Sequence, residues 1–342
     1  MKNFLMVGEQ RSGSNLLRLI LNESEEIAAP HPPHILQRLM PIVAMYGDLE
    51  NEDNFSLLIK DACTLVELNP VPWELDKLDR QNVHSRCKQN NLIAVFGAIM
   101  DIYAEYHNAN AWLCKSMQNI RWAKELNQYF DKPKYIYLYR DPRDVALSFS
   151  KAVIGEKHPY FIAQQWVELQ ELCITQRESL NEQQFFSLCY EDLINNTHYI
   201  IEKLCAFLEI QFTEKMLDFH KSNEAKRSAS SSQLWENLSQ PIKSSNSMKF
   251  LNELSKEEIN IIELIAGKTM DKLSYERTMK QNINGTIINK DKIIEFQELN
   301  NRLKMIKKET INSDDLKRRN QQTDFLEEVI LRQSNNNNLK AG

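Results

Sequence analysis

Two short segments of the chain carry residue types that bind phosphate groups. The first is Gly8-Glu9-Gln10-Arg11-Ser12-Gly13, which lies between an apolar stretch and a leucine-rich one. Backbone N–H groups at the start of a helix bind anions, glycines let the backbone come close, and Arg11 adds a fixed positive charge. A magnesium-dependent P-loop needs Lys and then Ser or Thr after the second glycine, where this chain has Ser14 and Asn15. The loop is therefore predicted to hold an anion but not the magnesium complex of a nucleoside triphosphate.

The second segment is an arginine followed eight residues later by a serine, Arg140 and Ser148. Between them, Pro142 suits the first turn of a helix, and the flanking aspartates suit its N-terminus. A guanidinium can bind two phosphate oxygens at once, and a serine two helical turns further on lies on the same face and adds a hydrogen bond. Such a pair is able to bind a phosphate, and we expect Arg143 to be a solvated charge or a partner at the helix terminus.

Both segments stand between a predicted strand and a predicted helix. Strands are predicted at residues 4–7, 112–114, 135–139 and 185–190. Residues 35–110 and 158–182 are predicted to be mainly helical, and the serine-rich run 228–232 to be a loop. Strands that alternate with helices favour a parallel sheet, which binds its ligand at the carboxyl ends of the strands. The predicted fold class is α/β, a parallel β-sheet flanked by helices.

Together the two segments resemble those of the sulfotransferases that use 3′-phosphoadenosine 5′-phosphosulfate (PAPS) as donor. The family's 5′-phosphosulfate loop matches Arg11, Ser12, Gly13, Ser14, Asn15 and Leu16. With arginine as its basic residue, this loop is similar to that of tyrosylprotein and many bacterial sulfotransferases. The family's 3′-phosphate motif matches Arg140 and Ser148 in type and spacing. The resemblance implies a P-loop-like sulfotransferase fold over roughly residues 1–275.

Two further matches agree with this resemblance. Tyr190, in Tyr190-Glu191-Asp192-Leu193, resembles the strand-end tyrosine that contacts the nucleotide in the family. Residues 240–250 resemble the stretch in which a serine and a basic residue approach the 3′-phosphate, which implies a phosphate contact for Lys249 and a weaker one for Ser245. The implied cofactor is PAPS, the implied product is adenosine 3′,5′-bisphosphate, and no metal is expected to be required.

Sulfuryl transfer builds negative charge on the oxygen that bridges sulfur and phosphorus in the donor, so cations must stand beside it. Arg11 is the first candidate, and Ser148 is a candidate to orient it. Residues 112–119 resemble the family's strand-end Lys-Thr-Pro segment, which makes Lys115 the second candidate. Ser and Met replace Thr and Pro here, so the backbone after Lys115 is expected to differ.

The acceptor hydroxyl must also lose a proton to a base within reach. Members of the family use a histidine shortly after the Lys-Thr segment, where this chain has Met117, or a glutamate some way after the first loop. At the second place the chain has Ala28-Ala29-Pro30-His31-Pro32-Pro33-His34, a loop that its prolines stiffen. We therefore expect His34, by a slight preference, or His31 to be the catalytic base.

Composition and charge are those of an ordinary globular protein. The chain has 342 residues, 42% of them hydrophobic, and its formal net charge of -5 gives no field to attract nucleic acid or anionic lipid. The six cysteines show no C-x-x-C pair and no zinc-site spacing, so reduced thiols and no bound metal are expected. The first apolar stretch is too short for a signal peptide or a membrane span, so a cytoplasmic location is expected, with leaderless export as an effector left open.

The end of the chain has a different sequence pattern. Apolar residues recur at helical spacing among charged ones, at Ile293, Ile294, Phe296, Leu299, Leu303 and Ile306. A second helix is predicted around residues 326–331, and the asparagine run 335–338 is expected to be disordered. We divide the chain into a sulfotransferase domain, residues 1–278, and a helical tail, residues 279–342. The tail is either a coiled coil that joins two chains in a homodimer or an amphipathic pair folded back on its own domain.

Two other functions share parts of this pattern. A P-loop-type kinase or phosphotransferase shares the strand, loop and helix, but the missing loop lysine disfavours it. A sulfotransferase-like scaffold without activity is favoured by Met117 and disfavoured by the presence of Arg11, Arg140 and Ser148. For a sulfotransferase, the acceptor is a hydroxyl or amine of a small molecule, a carbohydrate or a peptide, and the resemblance allows all three.

Overall fold

A parallel β-sheet of five strands forms the centre of the computed structural model, which describes residues 1–231, 233–278 and 288–341. The strands are β1 (Lys2–Gly8), β2 (Ile27–Ala28), β3 (Ala111–Cys114), β4 (Lys134–Tyr139) and β5 (Phe185–Cys189), in the spatial order β2-β3-β1-β4-β5. Every neighbouring pair is parallel. The predicted fold class is confirmed, and the two-residue strand β2 is an edge strand that the sequence did not predict.

Helices surround the sheet. They are α1 (Ser14–Asn22), α2 (Ile35–Leu39), α3 (Glu52–Glu67), α4 (Arg80–Arg86), α5 (Leu92–Tyr106), α6 (Ala123–Tyr129), α7 (Pro142–Lys151), α8 (Pro159–Ser179), α9 (Tyr190–Asn195), α10 (Thr197–Leu208), α11 (Asn223–Ser231), α12 (Phe250–Glu253), α13 (Lys256–Lys272), α14 (Lys290–Glu309) and α15 (Ser313–Ala341). Short 3-10 helices lie at Met40–Tyr46, Met117–Trp122, Glu214–Lys221, Gln233–Ser239 and Ser244–Asn246. Among the helices that the structure describes, none combines the length and the apolar character that a bilayer crossing requires.

The central strand β1 is buried on both faces. Leu5 and Val7 belong to one apolar core, and Phe4 and Met6 belong to the other. A strand of this kind needs apolar residues at every position, because each face packs against helices. This explains why residues 4–7 form a continuous apolar run.

The pairing of β1 with β4 sets the position of both phosphate-binding segments. The strands run in the same direction with Gly8 opposite Leu138, so both segments leave the sheet at the same edge. Gly8 has a φ of 128°, and a Cβ at this residue would lie 2.4 Å from the carbonyl oxygen of Leu138. Glycine is therefore required where the first segment turns away from the sheet.

Residues 228–231 of the serine-rich run are helical, so the predicted loop is wrong there; residue 232 lies outside the described residues. Ser228 is buried, and its hydroxyl accepts a hydrogen bond of 3.2 Å from the guanidinium of Arg18. Arg18, fully buried in α1, also pairs with Glu224 at 2.9 Å. This tertiary contact stabilises a helix whose local composition favours a turn.

The C-terminal tail is helical, as predicted, and α14 packs against the start of α8. The ring of Phe296 stacks on His158 with 4.2 Å between ring centroids. The side-chain oxygen of the buried Asn300 accepts hydrogen bonds from the backbone N–H groups of Lys157 and His158, at 2.8 and 3.0 Å. These contacts support the folded-back interpretation of the tail, whereas the homodimer stays a prediction.

The second tail helix, α15, lies against α3. The side-chain amide of the buried Gln322 donates to the carbonyl oxygen of Leu65 at 2.7 Å, and Arg332 pairs with the buried Asp61. The helix includes the asparagine run 335–338, for which composition predicted disorder. The predicted boundary between the domain and the tail falls at residues 279–287, outside the described residues, and stays a prediction.

Replacing Asn300 with Ala should release α14 from the segment before α8. The N–H groups of Lys157 and His158 would lose their acceptor in a buried place, which costs about 1–3 kcal/mol. The control is Asn301→Ala at the next, exposed residue, which should change the free energy of unfolding by no more than about 0.5 kcal/mol. Chemical denaturation measures both values, and hydrogen exchange at Lys157 and His158 locates the effect. Equal stability of the two variants would contradict the contact.

Candidate active site

The first predicted loop joins β1 to α1 through a sharp turn. Arg11 and Gly13 have φ angles of 67° and 88°, both in the left-handed region. Gly13 immediately precedes the first turn of α1, and a Cβ there would lie 2.4 Å from the ring of Tyr190. Because Gly13 has no side chain, the strand-end tyrosine packs directly on the loop.

The second predicted segment holds the first in place. Arg11 Nε donates to the hydroxyl of Ser148 at 3.0 Å. Arg140 Nη1 donates to the backbone oxygen of Arg11 at 3.1 Å, although the two residues are 129 positions apart in the sequence. The structure therefore brings the two segments together.

Arg140 stands at the end of β4 and is nearly buried. Its Nη2 donates to the carbonyl oxygen of Asn246 at 2.7 Å, and its guanidinium lies 4.4 Å from the centre of the Tyr190 ring. Asn246 in turn donates to the hydroxyl of Tyr190 at 2.7 Å. The Nε atom of Arg140 is buried and has no hydrogen-bond partner among the described residues. A buried, charged N–H donor without a partner is suited to binding an anionic ligand.

A cavity of about 550 Å³ lies between the two segments. Predicted site residues in its wall are Arg11, Gly13, Ser14, Asn15, Leu16, Arg140, Ser148, Tyr190, Ser245 and Lys249. Ser12 is not in the wall, and its buried hydroxyl has no hydrogen-bond partner in the described part of the chain. The cavity is thus lined by nearly all the residues predicted to bind the donor.

Lys115 lies next to this cavity, at the end of β3. Its ammonium donates to the side-chain oxygen of Asn15, a wall residue, at 2.9 Å. Burial, together with the charges of Arg18 and Arg11, lowers the pKa of Lys115 from 10.5 to about 7. The lysine is therefore close to losing its proton at neutral pH unless an anion is near.

Positive charge is concentrated around Arg11. Burial lowers the pKa of Arg11 to about 10, and the charges of Arg140 and of Arg319, in the tail, contribute. Like charges at close range repel each other, so such a group is most stable with an anion between its members. The electrostatics of the cavity therefore fit a ligand with negative groups.

Neither candidate base, His31 nor His34, is in the wall of the cavity. Burial lowers the pKa of His31 well below its usual range and that of His34 to about 3, and in each case the charge of Lys115 is the next cause. Both imidazoles are therefore neutral over the usual pH range. The ring of His31 packs edge-on against Trp235 with 5.0 Å between centroids, and Trp235 lines the cavity.

Arg143 is buried, so the expectation of a solvated charge is wrong. It pairs with Asp141 and Glu263, each at 2.6 Å, and its guanidinium lies 4.1 Å from the centre of the Phe250 ring. Asp141 is the residue that caps α7, so the alternative expectation of a partner at the helix terminus is correct. Arg143 braces the turn that carries Arg140, because α13, which holds Glu263, packs behind that turn.

Two residues that position Arg140, namely Asp144 and Asn246, were not predicted from the sequence. Asp144 accepts hydrogen bonds from the backbone N–H groups of Met248 and Phe250, at 2.7 and 3.0 Å. These bonds hold the segment of Asn246 beside Arg140. The only signal in the sequence is the placement of Asp144 one helical turn after Arg140.

Glu9 is a further residue that the sequence did not single out. It is fully buried and accepts from the backbone N–H of Gln10 at 2.6 Å and from Gln165 Nε2 at 2.9 Å. Burial raises the pKa of Glu9 to about 7, although both hydrogen bonds oppose this. Its contacts tie the first loop to α8.

Comparisons with known proteins agree with this geometry. The model of a family described as "Sulfotransferase family" matches residues 4–214. A sulfotransferase domain from the curacin biosynthetic pathway is 21% identical, with a TM-score of 0.54 over 80% of this chain and 98% of that one. The sulfotransferase domain from the Synechococcus PCC 7002 olefin synthase is 20% identical, with a TM-score of 0.50 over 78% of this chain and 96% of that one. At these identities the likeness establishes a shared fold.

No curated protein sequence is a significant match. The family match, in contrast, covers residues 4–214 of 342 and includes the loop of Arg11, the pair Arg140 and Ser148, and the strand-end Tyr190. The chain therefore belongs to the sulfotransferase family.

Proposed function

We propose that this sulfotransferase moves a sulfuryl group from PAPS to a hydroxyl or amine of a small-molecule, carbohydrate or peptide acceptor. One observation carries the proposal: Arg11, Arg140 and Ser148 line a single cavity and are joined by hydrogen bonds. PAPS carries two anionic groups, a phosphosulfate at its 5′ position and a phosphate at its 3′ position. A cavity lined by the guanidiniums of Arg11 and Arg140 matches the negative charge of these groups.

The chain's own residues fit such a donor. The loop of Arg11 and the N-terminus of α1 would hold the phosphosulfate end, and Arg140, Ser148 and Lys249 would hold the 3′-phosphate. The donor supplies the sulfuryl group; the S–O bond to its phosphate breaks as an acceptor oxygen or nitrogen binds sulfur. Arg11 and Lys115 would stabilise the charge that develops on the phosphate oxygen.

The proton of the acceptor needs a base, and hydrogen bonding favours His31 over His34. The side-chain nitrogen of Asn69 donates to the carbonyl oxygens of His31 and Pro32, at 3.3 and 3.1 Å. Its side-chain oxygen therefore faces His31 Nδ1, 3.0 Å away, and it also accepts from the backbone N–H of Val71 at 3.3 Å. Nδ1 must then carry the ring proton, so Nε2 is unprotonated and has a free lone pair.

The unprotonated Nε2 of His31 can accept a proton, although burial lowers the pKa of this imidazole well below its usual range and so makes it a weaker base. Nε2 is buried and has no hydrogen-bond partner among the described residues. An imidazole held at Nδ1 by a fixed acceptor, with Nε2 unprotonated, is the arrangement of a general base. After it accepts the acceptor's proton, the side-chain oxygen of Asn69 would still bind the Nδ1–H of the imidazolium. The slight preference for His34 from sequence alone gives way to His31 in this proposal.

Adenosine 3′,5′-bisphosphate should bind without magnesium and raise the melting temperature of the protein, whereas ATP with magnesium should have little effect. Arg140→Gln should weaken this binding by about tenfold or more, because a charge-assisted contact to phosphate is lost. Differential scanning fluorimetry and calorimetry measure both effects. Preference for ATP with magnesium would favour a phosphotransferase, and tight binding without any transfer of label from PAPS would favour an inactive scaffold.

His31→Ala should lower turnover by about 10²–10⁴-fold, the usual loss on removing a general base. The matched control is His34→Ala, in the same loop, which should keep most of its activity. Transfer of ³⁵S from labelled PAPS to acceptors in a cell extract measures turnover, and calorimetry checks that both variants bind adenosine 3′,5′-bisphosphate like the wild type. Loss of activity in His34→Ala alone would assign the base to His34, and full activity in both variants would place it elsewhere.

Lys115 should make nucleotide binding depend on pH. Because burial and nearby cations lower its pKa to about 7, the ammonium is present below this pH and is lost as the pH rises. The Kd for adenosine 3′,5′-bisphosphate should therefore rise between about pH 7 and 8.5, by at most about tenfold per pH unit. Lys115→Met should bind more weakly at pH 7 and show a flatter profile. A wild-type profile as flat as that of the variant would rule out the contact.

A further inference from the structure

The ammonium of Lys157 lies in a cage of backbone carbonyl groups just after α7. Lys157 is buried, and its Nζ donates to the carbonyl oxygens of Phe149, Ile154, Gly155 and Glu156, at 3.1, 2.6, 2.9 and 3.3 Å. Lysine is rarely buried unless a partner compensates its charge, and here the dipoles of four carbonyl groups do so. The cage therefore binds a cation that is part of the chain.

This cage includes a part of the cavity wall. Residues 152–156, here called the wall segment, follow α7, and Ala152 and Val153 within them line the cavity. Lys157 binds the carbonyl oxygen of Phe149 before the wall segment and three carbonyl oxygens within it. One ammonium thus holds the wall segment against the end of α7.

Two further contacts fold the wall segment tightly onto α7. Gly155 has a φ of 74°, and a Cβ there would lie 2.6 Å from the ring of Phe149, so glycine is required at this close approach. The backbone N–H of Ala152 donates to the carbonyl oxygens of Ser148 and Phe149, at 3.2 and 3.1 Å. The shape of the wall segment is therefore set before any ligand binds.

Both tail helices contact elements beside the cavity. In α15, the guanidinium carbon of Arg319 lies 5.6 Å from the centre of the ring of Trp235, which lines the cavity. In α14, Lys304 pairs with Glu156 of the wall segment at 2.6 Å. The carboxylate of Glu156 is thus bound by the tail, whereas the neighbouring ammonium of Lys157 is left to the carbonyl groups.

We propose that Lys157 is a positioning residue for nucleotide binding, whose ammonium holds the wall segment in the shape that the ligand requires. The inference rests on the proposed function, because it takes the ligand of the cavity to be a nucleotide. Backbone carbonyls that converge on one point form a cation site, and their negative ends repel each other when the cation is removed. Without Lys157 the wall segment would have to be ordered as the ligand binds, and this cost would lower the affinity.

Lys157→Ala should weaken binding of adenosine 3′,5′-bisphosphate by about tenfold, because the ligand must then order the wall segment. n-Propylammonium chloride should restore part of this loss, since it has the three carbons and the ammonium that the substitution removes. Tetramethylammonium chloride at the same concentration is the control for ionic strength; it has no N–H donor and should restore nothing. Calorimetry measures the affinities, and a melting curve checks folding. Equal affinity of wild type and variant, or equal effects of the two salts on the variant, would overturn the inference.

Gly155→Ala tests the same role with Lys157 in place, and it decides the matter if Lys157→Ala does not fold. The added Cβ displaces the wall segment from Phe149 and should weaken nucleotide binding by about fivefold. The matched control is Gly47→Ala, at an exposed glycine outside the cavity wall with a similar φ of 80°, which should bind like the wild type. Equal affinities of the two glycine variants would contradict the inference. Failure of the wild type to bind the bisphosphate would instead remove the proposed function.

Discussion

One guanidinium, that of Arg140, joins the two turns on which the site is built. It donates to the backbone oxygen of Arg11 and to that of Asn246, and its plane packs on Tyr190. Since β1 and β4 are neighbours in a parallel sheet, the loop after one and the helix after the other must emerge side by side. The sheet brings the two turns close together, and the hydrogen bonds of Arg140 fix their relative position.

The cations of the site are oriented mostly by neutral groups. Arg11 is held by the hydroxyl of Ser148, and Lys115 by the amide of Asn15. Of the nearby carboxylates, Asp141 pairs with Arg143, whereas Asp144 accepts from two backbone N–H groups and also lies 3.6 Å from Arg140. A neutral partner fixes a cation without cancelling its charge, so the positive potential stays available to a ligand. This distribution of partners distinguishes a binding site from an ordinary network of ion pairs.

Much of the site could be predicted from the sequence because it is encoded in short spacings. The loop around Arg11 and the eight-residue interval from Arg140 to Ser148 each lie between a strand and a helix, so their local pattern also predicts where they meet. In contrast, Trp235 reaches the cavity, and Asn69 reaches His31, through packing between distant segments. Their types carry no local signal, since an aromatic or an amide side chain is most often structural. The same reason explains why the predictions for Arg143 and Ser228 were wrong. The burial of these two residues depends on partners in α13 and α1.

The contact between α15 and Trp235 has a consequence for biosynthesis. The turns that carry Arg11 and Arg140 leave the ribosome before residue 200, whereas Arg319 emerges much later. The central sheet can therefore assemble while the ring of Trp235 still lacks its contact with α15. Nascent or prematurely terminated chains would display Trp235 without its cover, an exposed aromatic surface that chaperones and proteases recognise.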